Sequence, residues 1–179
     1  MSIKGNLALL AAFAAAALVL SSSKDRHPSA AEQSGDAAFV RHEVEAAIRH
    51  WEQALAESPS PSEGLYQKLV SACIITRDFP RARRHAEDGL THFPACATLQ
   101  VNLALVAFYQ ERYEETLALT QRVLAANDHQ PDAHYLRALV YERYGRREDA
   151  RQELVKEVNV NPGSRRAWER LQEYADEKP

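Results

Sequence analysis

The feature that most constrains this chain is a repeat of 34 residues in its central and C-terminal parts. A shift of the sequence by 34 aligns Ala82, Thr116 and Ala150, and it aligns Phe79 with Tyr113. Each unit holds two apolar patterns of about 13 residues with the period of an α-helix. Gly145 separates the two patterns of the third unit, where a positive φ suits a helix end. A helix pair of this size cannot bury its apolar face alone, so we expect successive pairs to stack.

Composition excludes several kinds of enzyme and nucleic-acid-binding protein. The chain has 179 residues, 45% of them hydrophobic, which fits one globular domain with a tail. Its 22 Lys and Arg and 25 Asp and Glu give a net charge of −3, whereas nucleic-acid-binding domains usually carry a basic excess. The six glycines form no G-x-G pair and hence no glycine-rich phosphate loop, and two cysteines cannot build a four-thiolate metal site.

The repeat resembles the tetratricopeptide repeat family. With units counted from Glu63, Ala97 and Pro131, small residues occupy positions 8, 20 and 27, where paired helices approach closely: Ala104, Ala138, Ala82, Thr116, Ala150 and Gly89. Large residues occupy positions 4, 7, 11 and 24: Tyr66, Leu69, Leu103, Tyr141 and Leu154. Gln100 and His134 depart from the aromatic position 4, and Glu157 departs from the small position 27. The resemblance implies an all-α, right-handed α-solenoid of three helix pairs, at 63–96, 97–130 and 131–164.

Segments on both sides of the three units fit the same spacing. Upstream, Ala47, Trp51 and Ala54 match the second helix of a degenerate unit, so we predict a single flanking helix over 37–57. Downstream, Trp168 lies one period after His134, and residues 165–175 are predicted to form a capping helix with a polar outer face. The repeat domain is therefore predicted to extend over 37–179.

The first 36 residues have a different character. An apolar run over 7–20 follows Lys4 and precedes three serines, which is the order of a secretory signal peptide. The 19 uncharged residues between Lys4 and Lys24 would also cross a bilayer as a helix of about 28 Å. We therefore predict that residues 1–23 are a signal peptide or an N-terminal membrane anchor, and that 24–36 is a flexible linker. The protein is expected to be exported, either anchored on the periplasmic side of the inner membrane or soluble in the periplasm.

The resemblance also implies a binding surface on the first helix of each pair, which lines the concave side of the stack. We predict an apolar groove that holds a peptide or an amphipathic helix of a partner protein. The predicted partner-binding residues are Gln67, Ile74, Val101, Asn102, Leu105, Phe108, Tyr109, Tyr135, Leu139 and Arg143. Some family members bind a chain-terminal carboxylate with cations on these helices. Gln67 and Ser71 stand here where such members have lysine and asparagine, so a carboxylate clamp is not predicted.

No constellation of catalytic or metal-binding residues accompanies the repeat. The seven histidines include no i, i+4 pair, and His134 is interpreted as a packing residue. Cys73 and Cys96 are expected to be too far apart for a disulfide. We predict no enzymatic activity, cofactor, metal or nucleic-acid partner. The expected role is a protein-binding scaffold in an envelope-associated assembly. A self-associating scaffold, such as a homodimer, and an accessory subunit of an enzyme or secretion complex remain alternatives.

Overall fold

A computed structural model describes residues 27–176 of the chain, and these residues contain nine α-helices and no β-strand. The helices are α1 (Ala30–Val40), α2 (Val44–Glu57), α3 (Glu63–Ile75), α4 (Phe79–His92), α5 (Ala97–Tyr109), α6 (Tyr113–Ala126), α7 (Ala133–Arg143), α8 (Arg147–Val160) and α9 (Arg165–Asp176). The predicted signal peptide or anchor at 1–23 lies outside the described residues. None of the described helices is long and apolar enough to span a bilayer.

The helices belong to two compact units that divide between Asn102 and Leu103, inside α5. The first unit contains α1 to α4 and the start of α5. The second contains the rest of α5 and α6 to α9.

The same turn joins the two helices of each pair. One residue in each turn has a positive φ, and these residues are His42, Arg77, Glu111 and Gly145. The residue that follows donates its N–H to the carbonyl five residues back, as Asp78 does to Cys73 at 2.9 Å and Arg146 does to Tyr141 at 2.8 Å. Such bonds satisfy carbonyl groups that the end of a helix leaves without a partner. The all-α repeat fold is thereby confirmed, including the positive φ at Gly145.

The N-terminal flank differs from its prediction. Residues 30–36, predicted to be flexible linker, form most of α1, and the single helix predicted over 37–57 is interrupted by the turn at His42. The described residues thus contain four helix pairs, where three pairs and a lone flanking helix were predicted. The local cause is an N-cap, in which the Ser29 hydroxyl accepts the N–H of Glu32 at 3.1 Å.

Packing and charge both hold α1 in the first unit. Gly35 lies against Trp51 so closely that an added Cβ would be 2.4 Å from the indole Cδ1 atom. The indole N–H donates to Asp36 at 2.9 Å, and the Lys68 ammonium donates to Asp36 at 2.9 Å and to Glu32 at 3.0 Å. A polar segment can therefore pack as a helix, because its acidic side chains find partners on α2 and α3.

Candidate functional site

Most of the predicted partner-binding residues are buried. Eight of the ten are at most 6% exposed, namely Gln67, Ile74, Val101, Asn102, Leu105, Phe108, Tyr135 and Leu139. Tyr109 is half-buried and Arg143 is exposed. The expectation of an open apolar groove is therefore not met at these residues, whose side chains contribute to packing. The repeat pattern does not predict this burial, because burial depends on how closely neighbouring helices approach.

Within the second unit, arginines cover two of the predicted aromatic residues. The guanidinium of Arg143 lies 5.6 Å from the ring centre of Phe108, and that of Arg166 lies 4.9 Å from the ring centre of Tyr135. An arginine over an aromatic face is a favourable cation–π arrangement that also shields the ring from water. The predicted residues Tyr109 and Arg143 are the ones in this unit that keep accessible surface.

Two polar residues of the first unit carry buried atoms with no hydrogen-bond partner among the described residues. They are the hydroxyl of Ser71 on α3 and the side-chain N–H₂ of Asn102 on α5, and their residues are 3% and 4% exposed. Leaving such a group unpaired costs about 1–3 kcal/mol, so native proteins rarely keep one without a reason. Both residues lie on the first helix of a pair, and Asn102 is one of the predicted partner-binding residues.

Gln67 lies one turn before Ser71 and connects α3 to the start of α5. Its amide donates to the Cys96 sulfur at 3.4 Å, and the Cys96 thiol lies 3.2 Å from a Glu63 carboxylate oxygen. The N–H of Leu99 also points to this sulfur at 3.4 Å, so Cys96 acts as a polar group that caps α5. The predicted binding residue Gln67 therefore has a structural role in joining two first helices.

Neither cysteine has the setting of a reactive thiol. Burial raises the pKa of the Cys73 thiol to about 12 and also raises the pKa of Cys96. Both are free cysteines, as expected from their separation along the repeat. Reactive cysteines have a lowered pKa and accessible sulfur, and these two have neither.

Two histidines, one half-buried and one buried, pair with carboxylates. His134 Nδ1 lies 2.7 Å from Glu153, which also accepts from Arg137 at 3.2 Å, so His134 is a packing residue as predicted. His85 is 5% exposed and its Nε2 lies 2.9 Å from Glu52, which also accepts from Arg81. Among residues 27–176, no group of three or more His, Cys, Asp or Glu side chains could hold a metal ion.

A polar cluster that the sequence did not predict fixes the start of α7. The Glu157 carboxylate is fully buried and accepts the N–H of Asp132 at 3.0 Å and of Tyr135 at 3.3 Å. Arg166 binds the Asp132 side chain, whose residue has a φ of 69°. The glutamate at a position where the repeat prefers a small residue was the available signal. The Glu157 carboxylate reaches from α8 to the start of α7.

The chain matches no protein-family model and no curated protein. Solved structures resemble it more clearly. A MamA crystal structure has 22% sequence identity and a TM-score of 0.65, covering 76% of this chain and 80% of that one. MamA residues 41-end from Desulfovibrio magneticus RS-1 has 20% identity and a TM-score of 0.66, covering 81% and 84%. YrrB, described as a TPR protein with an unusual peptide-binding site, has 18% identity and a TM-score of 0.67, covering 95% and 85%.

Proposed function

We propose that this chain, which has the fold of tetratricopeptide repeat proteins, is a protein–protein interaction scaffold that binds a peptide segment of a partner. The observation that carries this proposal is the pair of unpartnered polar atoms on Ser71 and Asn102. Support for the class of function comes from YrrB, whose description names a peptide-binding site. The buried, protonated cysteines and the carboxylate-paired histidines give no support to catalysis.

A peptide main chain supplies the chemistry that these two residues lack, and because both atoms are buried in the free chain, binding must include a local opening that exposes them. The Asn102 amide is a donor, so it can bind a peptide carbonyl, and the Ser71 hydroxyl can either donate or accept. A peptide that bonds to both groups would remove the free-energy cost of leaving them unpaired. This gain stabilises the complex and is absent from the free chain. A hydrogen-bonding contact of this kind recognises the main chain of the peptide rather than its side chains.

Substitution of Asn102 by leucine tests this function with two readouts. Peptides selected from a phage-displayed library against the full chain should bind Asn102→Leu at least about tenfold more weakly, as expected for one lost hydrogen bond. The same substitution should raise the midpoint of thermal unfolding, because it removes an unpaired buried amide.

Thr120→Val is the matched control, because the Thr120 hydroxyl is equally buried but already donates to Thr116 at 2.8 Å. It should lower the unfolding midpoint and leave the affinity unchanged. Peptides that bind Asn102→Leu as well as they bind the parent chain would contradict the proposed site.

We further propose that the scaffold acts at the cell envelope. The support is the apolar run at 7–20 after Lys4, which the sequence alone provides. Fractionation of cells that express the full chain should recover it from membranes or periplasm, and a variant that lacks residues 1–23 should remain in the cytoplasm. Recovery of both forms in the cytoplasm would contradict this localisation.

A further inference from the structure

Helix α9 has an apolar side chain on a face that was predicted to be polar. Trp168 is 53% exposed, although its indole N–H donates to the carbonyl of Pro162 at 3.0 Å. Leu171 and Ala175 follow at the spacing of one helical face; Leu171 is half-buried and Ala175 is exposed. Together these three residues form an apolar strip on α9, which we call the Trp168 strip.

The first complete repeat shows what covers such a strip. Tyr66, Leu69 and Cys73 precede Trp168, Leu171 and Ala175 by three periods of the repeat, and they are 1%, 0% and 0% exposed. The helix that covers them is α4, whose Gly89 lies so close to Tyr66 that an added Cβ would be 2.9 Å from the ring. Among the described residues, no helix follows α9 to do the same for Trp168.

The charges of α9 are divided between two faces. Arg166 and Arg170 face α7, where they bind Asp132 and Glu142. The exposed charges are one positive group on Arg165 against three negative groups on Glu169, Glu173 and Asp176, which lie toward the end of the helix. Arg165 pairs with Glu169 at 2.6 Å and Arg170 pairs with Glu173 at 2.8 Å, so the exposed surface of α9 is acidic only by its net charge.

Charge and shape together define the segment that would fit. A short turn joins α3 to α4, so α4 begins beside the end of α3, and its first turns carry Arg81, Arg83 and Arg84. A helix placed on α9 in the same way would begin beside Glu173 and Asp176. Both its positive N-terminal dipole and arginines in its first turns would be favourable there.

We propose that the Trp168 strip is a docking face for a basic amphipathic helix of a partner protein, with a glycine or alanine where that helix crosses Trp168. This surface goes beyond the proposed peptide site, because it uses neither Ser71 nor Asn102. Docking completes a fifth helix pair between two proteins, with the partner supplying the second helix.

A peptide with the sequence of residues 79–92 is the probe, because this sequence covers the matching strip in the first unit. Acetylation of its N-terminus and amidation of its C-terminus remove terminal charges that oppose the helix dipole, and they leave Arg81, Arg83 and Arg84 unchanged. Acrylamide quenching of the full chain reports on Trp168, since Trp51 is 0% exposed. Adding the peptide should protect Trp168 from acrylamide in a saturable way, and raising the salt concentration should weaken the effect.

Three controls separate docking from non-specific adsorption. A peptide with leucine in place of Gly89 should bind at least about tenfold more weakly, since the added side chain overfills the contact. In anisotropy titrations with a labelled peptide, Trp168→Ser should abolish binding. Tyr144→Ser, which changes another exposed aromatic residue of the same unit, should not affect it.

The outcomes are distinct from those of the peptide-site test. Asn102→Leu should bind the helix probe normally, so failure of one proposal leaves the other intact. Absence of protection, or equal loss with Tyr144→Ser, would overturn the docking face. Two results together would assign the strip to a second copy of this chain and so overturn the proposal. They are protection of Trp168 that grows with the concentration of the chain alone, and a dimer mass in light scattering that Trp168→Ser removes.

Discussion

At the scale of single residues, small side chains decide where two helices of a pair can approach. Gly35 occupies position 8 of the first helix pair, and the ring of Trp51 takes the space that a Cβ would need. Gly89 plays the same part against Tyr66 and Leu99 in the next pair. These contacts explain why a repeat with few identical residues keeps its small positions, since a side chain there would separate the helices.

Gly35→Ala should destabilise the protein although alanine is the better helix former. The added methyl would lie 2.4 Å from Trp51 Cδ1 and 2.5 Å from Nε1, and a rigid indole cannot move without breaking its bond to Asp36. Overpacking of this kind costs about 1–3 kcal/mol, more than the gain of about 1 kcal/mol in helix propensity. Urea unfolding measures the difference. Gly163→Ala is the control, because its nearest neighbour would be 3.7 Å away and no loss is expected. Equal stability of the two variants would contradict this account of the contact.

At the scale of elements, α1 depends on charge as much as on apolar packing. Lys68 is 12% exposed at its side chain and binds both Glu32 and Asp36, so one ammonium joins α3 to two turns of α1. Removing one partner of a buried ion pair leaves the other charge without compensation. The attachment of α1 is therefore sensitive to this single lysine.

Lys68→Met should loosen α1 while leaving the rest of the fold in place. The methionine keeps the apolar part of the side chain but leaves Glu32 unpaired at 7% exposure. Hydrogen exchange of the amides of residues 30–40 should accelerate at least about tenfold, and exchange in α7 to α9 should not change. Arg41→Met is the matched control, because the pair of Arg41 and Glu43 is more than half exposed and such pairs contribute little. If α1 stays protected in Lys68→Met, apolar packing alone holds it.

At the scale of the whole molecule, each unit has, among its described residues, one carboxylate whose pKa is lowered to about 2. A hydrogen bond from Arg81 lowers the pKa of Glu52, assisted by His85 and opposed by burial. Burial raises the pKa of Glu153, but hydrogen bonds from His134 and Lys156 and the charge of Arg137 outweigh it. Burial raises the pKa of other carboxyls, including Glu157 and Glu142, so protonation of those groups favours the folded state.

Acid should therefore destabilise the protein chiefly through Glu52 and Glu153. Because their pKa is lower in the folded state than the ordinary 4.5, their contribution is present above pH 4.5 and lost as the pH falls toward 2. The double variant Glu52→Gln, Glu153→Gln should be less stable than the parent at pH 7, and the difference should shrink as the pH approaches 2. Urea unfolding at pH 7, 4.5 and 3 measures it. Glu148→Gln, at a side chain 71% exposed, should follow the parent at every pH. A constant difference would show that these two carboxylates do not set the acid response.

The sequence by itself determined the all-α repeat fold, because a 34-residue period with helical spacing permits few other ways to bury apolar faces. It placed the helix pairs near 63–96, 97–130 and 131–164, and it placed the positive φ at Gly145. It missed the first pair, since the polar residues of α1 resemble a linker until Lys68 and Trp51 are beside them. Only a partner distant in the sequence makes such a segment a helix with a buried face.

The tertiary structure alone decided which side chains are accessible. The repeat positions of Leu105, Phe108 and Tyr135 predicted a surface, yet these residues are at most 6% exposed. Conversely, the capping helix was predicted to have a polar outer face, yet its Trp168 is 53% exposed. Periodicity fixes which face of a helix a residue occupies, but exposure depends on the distance and angle of neighbouring helices, which are set by packing between residues far apart in the chain.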